Sequence, residues 1–530
     1  MRVSLSRLAT TIGVTTIVAC STPPPPAVSP AAVSASPAAV AAATASATPG
    51  APALATPAPT SSPRPTAWPR EIEDQEPVIG ADGTVYLLER ARGTDRPAIV
   101  ALDAGGRVKP GWPIVAPARA DFGALAASPD GSVYLEEHAS LEIGSVLHRL
   151  GADGRDLPGW PLAVPPAFAC PAGAPYDTDD PRTPAVGDPC YPPGLDIGPD
   201  GTAYLTNYRP AGPRLLAVDP SARIRAGWPI DLDEQDWSDL HAGPDGVVYL
   251  VRRPVGTPTF DPVRGVIDED AQLWAFGPNG SVRPGWPVAV PNIRRFQVDP
   301  RGNVVVYSLI DDVGELCPFP ARTLFSILGP DGRSLPGWPR GSKGFASFPV
   351  VTADGTAYYV SATSKLYAHD AAGEVKAGWP VAVPGAGSGC GPESPALAPD
   401  GTVHVIGDEI TARSPDGRVP SGWPYRPSGT TTGPCLDSEC FGGHGAPAIG
   451  PDGTVYLIVY HAEPSGTRAE IVAVDRAGQL RPGWPYRLPF DAKTVGFGPL
   501  TVSPDGRLIV RVGSTPNVLL ALDPDGTLAA

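Results

Sequence analysis

The tripeptide Gly-Trp-Pro occurs eight times in this chain, centred on Trp112, Trp160, Trp228, Trp286, Trp338, Trp379, Trp423 and Trp484. A near-copy, "AWP" at Trp68, precedes them all. A motif that returns every few tens of residues marks a repeat architecture, in which each unit is one supersecondary element that buries its apolar surface only against its neighbours.

One unit contains "GADGTVYLLE" (80–89) followed by "AIVALDAGGRVKPGWPIV" (98–115). The first element has nine copies, among them "SPDGSVYLE", "GPDGTAYLT" and "GPDGTVYLI", and the second closes with "LLALDPDGTLAA" at the C-terminal end. In "PDGT" the proline fixes φ, the aspartate hydrogen-bonds locally and the glycine takes the left-handed position, which predicts a tight hairpin turn. "TVYL" and "IVALD" alternate and are rich in β-branched residues, so they read as strands. With a short apolar run before each "PDG", the unit has four strands, A to D, and Gly-Trp-Pro falls on D.

A four-stranded meander repeated about an axis is a β-propeller blade, and the fold class is all-β. Strand D is the outer edge, where proline is tolerated and blocks edge-to-edge pairing. The glycine admits a neighbouring backbone, and each tryptophan, Trp68 included, docks between blades as a structural residue; stacking on a ligand is the competing reading. In seven of the eight full units a glycine stands six residues before the tryptophan, and Ala222 replaces it before Trp228. In the last unit that glycine is Gly526, so its tryptophan would fall beyond Ala530. The expectation is that the segment around Trp68 supplies the missing strand and closes the ring. This makes nine blades, with eight and one degenerate unit as the alternative.

The front of the chain is of another kind. Arg2 and Arg7 precede a short apolar run ending in "IVAC", which resembles the lipobox of bacterial lipoproteins. The resemblance implies a signal peptide over 1–19, cleavage before Cys20, and lipid, palmitate included, on that cysteine. Residues 20–65 are almost wholly Pro, Ala, Ser and Thr and read as a disordered tether. In polyproline II geometry, ~3.1 Å per residue, it would reach on the order of 100 Å. The propeller is assigned to 66–530. Localisation is expected on the extracytoplasmic side of a bacterial membrane.

Gly (61) and Pro (70) make about a quarter of the 530 residues, which leaves room for many turns and few long helices. The formal charge is −15 without a basic stripe, which argues against nucleic acid or anionic lipid as a partner.

The repeat resembles the pyrroloquinoline-quinone-like propeller family, whose blades carry Ala-x-Asp-x-x-Thr-Gly-x-x-x-Trp. Ala101, Asp103, Gly106 and Trp112 follow it, as do Ala473, Asp475, Gly478 and Trp484, with the Asp–Gly turn one residue shorter and the Gly-to-Trp spacing two longer. The resemblance implies a propeller over 67–530. It is shared by quinone-dependent dehydrogenases and by non-catalytic lipoproteins of envelope assembly. The adjacent cysteines of the dehydrogenases are absent.

Length variation is confined to the B–C and D–A connections, at 163–193, 230–239, 252–271, 309–322, 384–393 and 427–445, which open on one face of a propeller. The six remaining cysteines lie in them. An even number in an exported chain reads as disulfides, with Cys170–Cys190, Cys435–Cys440 and Cys317–Cys390 as candidate pairs. His444, Glu393 and Asp239 are candidates for a ligand site at the mouth of the channel, with a solvated rim as the alternative. His369 and His404 fall in strands and read as structural. Asp231, Asp233, Glu234 and Asp236, and Asp268, Glu269 and Asp270, form two acidic clusters that could hold Ca²⁺ or simply be solvated. No serine-hydrolase elbow, zinc-protease helix or phosphate loop occurs.

The sequence therefore favours a tethered, monomeric binding module for an envelope protein or glycan, leaning away from an enzyme, with no resident cofactor. A quinone-dependent oxidoreductase, with pyrroloquinoline quinone and Ca²⁺, and a polysaccharide hydrolase or lyase are the alternatives.

Overall fold

Turn chemistry sets the frame. In the computed structural model each "DG" hairpin closes as read: Gly80 N donates to Thr84 O (2.8 Å), Gly83 N to Gly80 O (2.9 Å), and the Asp82 carboxylate accepts from Thr84 N (3.0 Å). Gly83 stands at φ 80°, the left-handed position that ends such a turn. The strands between these turns form antiparallel meanders.

The structure describes residues 68–529 apart from 73–75, 92–95, 119, 139–144, 165–193, 208–212, 234, 255–258, 262–264, 268–270, 310–321, 344–345, 387–391, 431–446, 465, 493–494 and 514–516. The signal peptide, the tether, Cys20, all six candidate disulfide cysteines, His444, Glu234 and the cluster Asp268–Asp270 lie outside the described residues.

Nine blades make a β-propeller. They occupy 78–115, 121–164, 195–231, 236–289, 293–343, 350–382, 396–413, 448–491 and 496–522, the last completed from the N-terminal side by Arg70–Ile72. That strand pairs antiparallel with Asn517–Leu522, with Arg70 opposite Leu519, Glu71 opposite Val518 and Ile72 opposite Asn517. Trp68 beside it is 4% exposed. The guanidinium of Arg70 grips Glu89 of blade 1 through two bonds of 3.0 and 2.9 Å, which ties the ninth blade to the first.

The core is divided rather than single. Nine clusters of buried side chains each fill one blade-to-blade interface, the closing one holding Trp68, Ile72, Val85, Leu87, Leu102, Ile509, Leu519 and Ala521. The two tryptophans outside the repeat motif, Trp237 and Trp274, pack on each other in blade 4 with centroids 5.4 Å apart.

Three details depart from the sequence reading. Gly-Trp-Pro precedes strand D rather than lying on it: Trp112 is followed by a cis peptide to Pro113, and the strand is Ile114–Val115. Among the described residues blade 7 has three strands, its outer edge reduced to a bridge between Ile410 and Tyr425. Pro427, two residues on, has no N–H with which to extend that ladder. Finally, 230–239 is not a loop: it holds Ile230–Asp231 and the start of the inner strand Asp236–Ala242.

Candidate functional site

The two faces of the ring use their backbone differently. On the face formed by the A–B and C–D turns, polar atoms are spent joining blades. The Trp112 indole Nε1 donates to Ala152 O of the next blade (3.2 Å), Trp228 to Pro278 O (3.0 Å), Trp286 to Pro330 O (3.1 Å) and Trp484 to Pro524 O (3.1 Å). Trp68 reaches Ala104 O of blade 1 at 3.4 Å. The strand-B tyrosine that meets the tryptophan edge-on, as Tyr134 meets Trp160 with centroids 5.4 Å apart, donates its hydroxyl to the next A–B turn, Tyr134 to Gly201 O (2.7 Å) and Tyr204 to Gly246 O (3.1 Å). Within a blade the turn aspartate meets a cation from the C–D side: Asp200 with Arg225 (2.8 Å), Asp245 with Arg283 (2.8 Å), and likewise Asp452 with Arg481. In blade 7 His404 takes that tyrosine's place, 4.9 Å from Trp423, while His369, at the end of strand C of blade 6, lies 5.6 Å from Trp338 of blade 5; burial lowers the pKa of both, to about 4 for His404.

The opposite face carries the variable connections. Blade 8 raises the longest described hairpin there, Val455–Glu463 with Gly466–Val474, braced by His461 on Glu470 (2.8 Å) and Arg468 on Glu463 (2.8 Å). Thr430, in the connection from blade 7, pairs with Tyr460 on its flank.

Blade 2 holds buried charge that the repeat does not require. His148, 1% exposed, has Asp156 Oδ1 3.0 Å from Nδ1 and Glu137 Oε2 3.5 Å from Nε2. Burial alone would lower its pKa, but the two carboxylates together raise it. On the other side of the same sheet Glu136 is 1% exposed, and burial pushes its carboxyl up to about 7 despite a hydrogen bond to Ser145. Between pH 4.5 and about 7 folded Glu136 keeps a proton that the unfolded chain has lost, so stability falls as pH rises through that window. The stabilisation from cationic His148 is full below 6.5 and is lost as pH climbs through its raised folded value, the same sign. Glu136→Gln is therefore expected to raise stability at pH 8 by on the order of 2–3 kcal/mol and to leave it nearly unchanged at pH 4. Denaturant melts at the two pH values check this; an equal effect at both would contradict it.

Asp239 sits within the inner strand of blade 4 at φ 54°, exposed, 3.4 Å from Arg253. Glu393 lies half-buried just before the inner strand of blade 7, and His444 is outside the described residues. Of the first acidic cluster, Asp231 pairs with Arg214 (2.7 Å), and Asp233 accepts from Trp237 Nε1 (2.9 Å) and from Arg252. Among the described residues no group of three or more His, Cys, Asp or Glu side chains is arranged to hold a metal ion, and no helix is long and apolar enough to cross a membrane.

What the sequence reading missed is the neighbour of Asp239. A cavity of about 450 Å³ opens between the inner strands of blades 4 and 5, lined by Asp239, His241, Arg294, Arg295, Phe296 and Gln297. The available signal was length. Most inner strands are two residues, whereas "DFGALAA" of blade 2, "DWSDLHA" and "IRRFQV" are seven, seven and six, and only the last two adjoin in neighbouring blades and carry arginine or histidine.

No protein-family model matches the chain, and no curated protein matches it. Among solved structures, it is similar to BamB from Moraxella catarrhalis at 14% identity and TM-score 0.37, over 64% of this chain and 86% of that one. A eukaryotic initiation factor is similar at 11% and 0.44, over 81% and 92%. Dipeptidyl peptidase 4 of Porphyromonas gingivalis is similar at 12% and 0.43, over 86% of this chain and 65% of that one.

Proposed function

We propose that the chain is a bacterial envelope lipoprotein, lipidated on Cys20, whose propeller is a non-catalytic binding module for an envelope protein or glycan. One observation carries this reading: the two faces divide their labour. Turn atoms of the plain face are consumed in blade-to-blade bonds, such as Trp286 to Pro330 and Tyr134 to Gly201. The other face is free to vary without loosening the ring, which is how binding surfaces are built on rigid scaffolds. The lipobox-like "IVAC" and the Pro/Ala-rich tether support the location, and no cofactor is needed.

The test places photo-reactive residues in the envelope-resident protein. Positions 254 and 463 report on the variable face and positions 153 and 371 on the plain one. Adducts of one discrete partner are expected from the first pair only; adducts equally from both pairs, or from the plain face alone, would overturn the reading.

A further inference from the structure

We infer that the cavity between blades 4 and 5 binds an acidic saccharide, a ligand with one carboxylate and several hydroxyls; this rests on the reading of the chain as a binding module. The first support is backbone irregularity. Both inner strands are bulged here, between Ser238 and His241 in blade 4 and between Ile293 and Arg295 in blade 5. Four non-glycine residues of the described chain have positive φ, and two of them flank this place, Asp239 (54°) and Asn292 (53°). Paired bulges and left-handed residues on facing strands re-aim side chains and are retained where a site requires them.

The second support is what the bulges present. In an unbroken strand Arg294 and Arg295 would face opposite ways. With the bulge both are exposed and both line the cavity, while Ile293 and Phe296 are buried beneath them. Arg295 is steadied over the Phe348 ring at 4.7 Å, and His241 stands edge-on to Phe296 with centroids 4.8 Å apart. Two arginines lining one cavity, in a chain of net charge −15, suit a planar oxyanion.

The third support is selectivity. Asp239 projects into the same cavity, oriented by Arg253 and by Ser238 Oγ at 3.1 Å. A carboxylate there repels a multiply charged phosphate but accepts hydrogen bonds from hydroxyls, and the Gln297 amide can donate or accept. A volume of about 450 Å³ fits one or two sugar rings.

Isothermal titration of the full chain with glucuronate tests this, with glucose and inorganic phosphate as comparison ligands. Saturable glucuronate binding is expected, weakened at least ~10-fold by Arg294→Gln or Arg295→Gln and unchanged by Arg418→Gln on the plain face. Asp239→Asn, which keeps a residue suited to the left-handed backbone, is expected to admit phosphate. Absence of saturable binding, phosphate binding as well as glucuronate to the unaltered chain, or affinity indifferent to both arginines would each overturn the inference. Discrete adducts from positions 254 and 463 in the face-mapping experiment would then still stand, so the two failures are distinguishable.

Discussion

Gly285→Ala is expected to destabilise the propeller by at least ~3 kcal/mol, far more than the same change at Gly378. Both glycines open a Gly-Trp-Pro and both have left-handed backbone, φ 89° and 85°. They differ in what lies opposite. A β-carbon on Gly285 would stand 1.9 Å from the carbonyl oxygen of Asp331 in the next blade, with no flexible side chain to yield. On Gly378 it would meet nothing closer than Asp416 O at 3.7 Å, so that substitution bears only the backbone cost, roughly 1–2 kcal/mol. The same close approach recurs at Gly227 with Asn279 O and at Gly483 with Asp525 O, each at 1.9 Å. Chemical denaturation of the two alanine variants checks the contrast. Equal losses would mean that the motif glycine serves local conformation alone and not blade contact.

The second large effect concerns closure. Arg70→Ala is expected to cost about 3–5 kcal/mol, because it removes the bidentate partner of a Glu89 carboxylate that is itself only 10% exposed. Starting the chain at residue 76 is expected to do more. It strips Trp68 and Ile72 from the closing interface and leaves Leu519, Ala521 and an unpaired strand edge in water. Circular dichroism melts and light scattering should show a lower midpoint and self-association for the shortened chain; a melt equal to that of the full chain would contradict a closing role.

The repeat was legible because nearly every blade writes its turns in the same letters. The Asp-Gly hairpins, the tryptophan period and the glycine register that ran past Ala530 sufficed for nine blades and for a closing strand beside Trp68. The inner wall was less legible. Alternation across "IRRFQV" sets Arg294 on the same side as Phe296, inside; a one-residue bulge puts it outside beside Arg295. The bulge has no local signature, since it depends on strand B of the same blade. Asp239 was singled out as lying in a connection, whereas it belongs to a strand whose pairing with Val248–Arg253 no short-range pattern announces. The His148 cluster was hidden for a related reason: Asp156 occupies a position that in other blades carries an aliphatic residue such as Ile224 or Val282, and only the fold turns it toward a buried imidazole.

Ring closure in the ninth blade underlies the faces, the channel wall and the site together, and one cross-link examines it directly. Glu71 and Val518 are opposite each other across the joining strands. Glu71→Cys with Val518→Cys should yield, on mild oxidation, a disulfide-linked peptide pair within a single chain, read by mass spectrometry, with a raised melting midpoint. Failure to form that bond, or its formation only between two chains, would contradict a ring that each chain closes on itself.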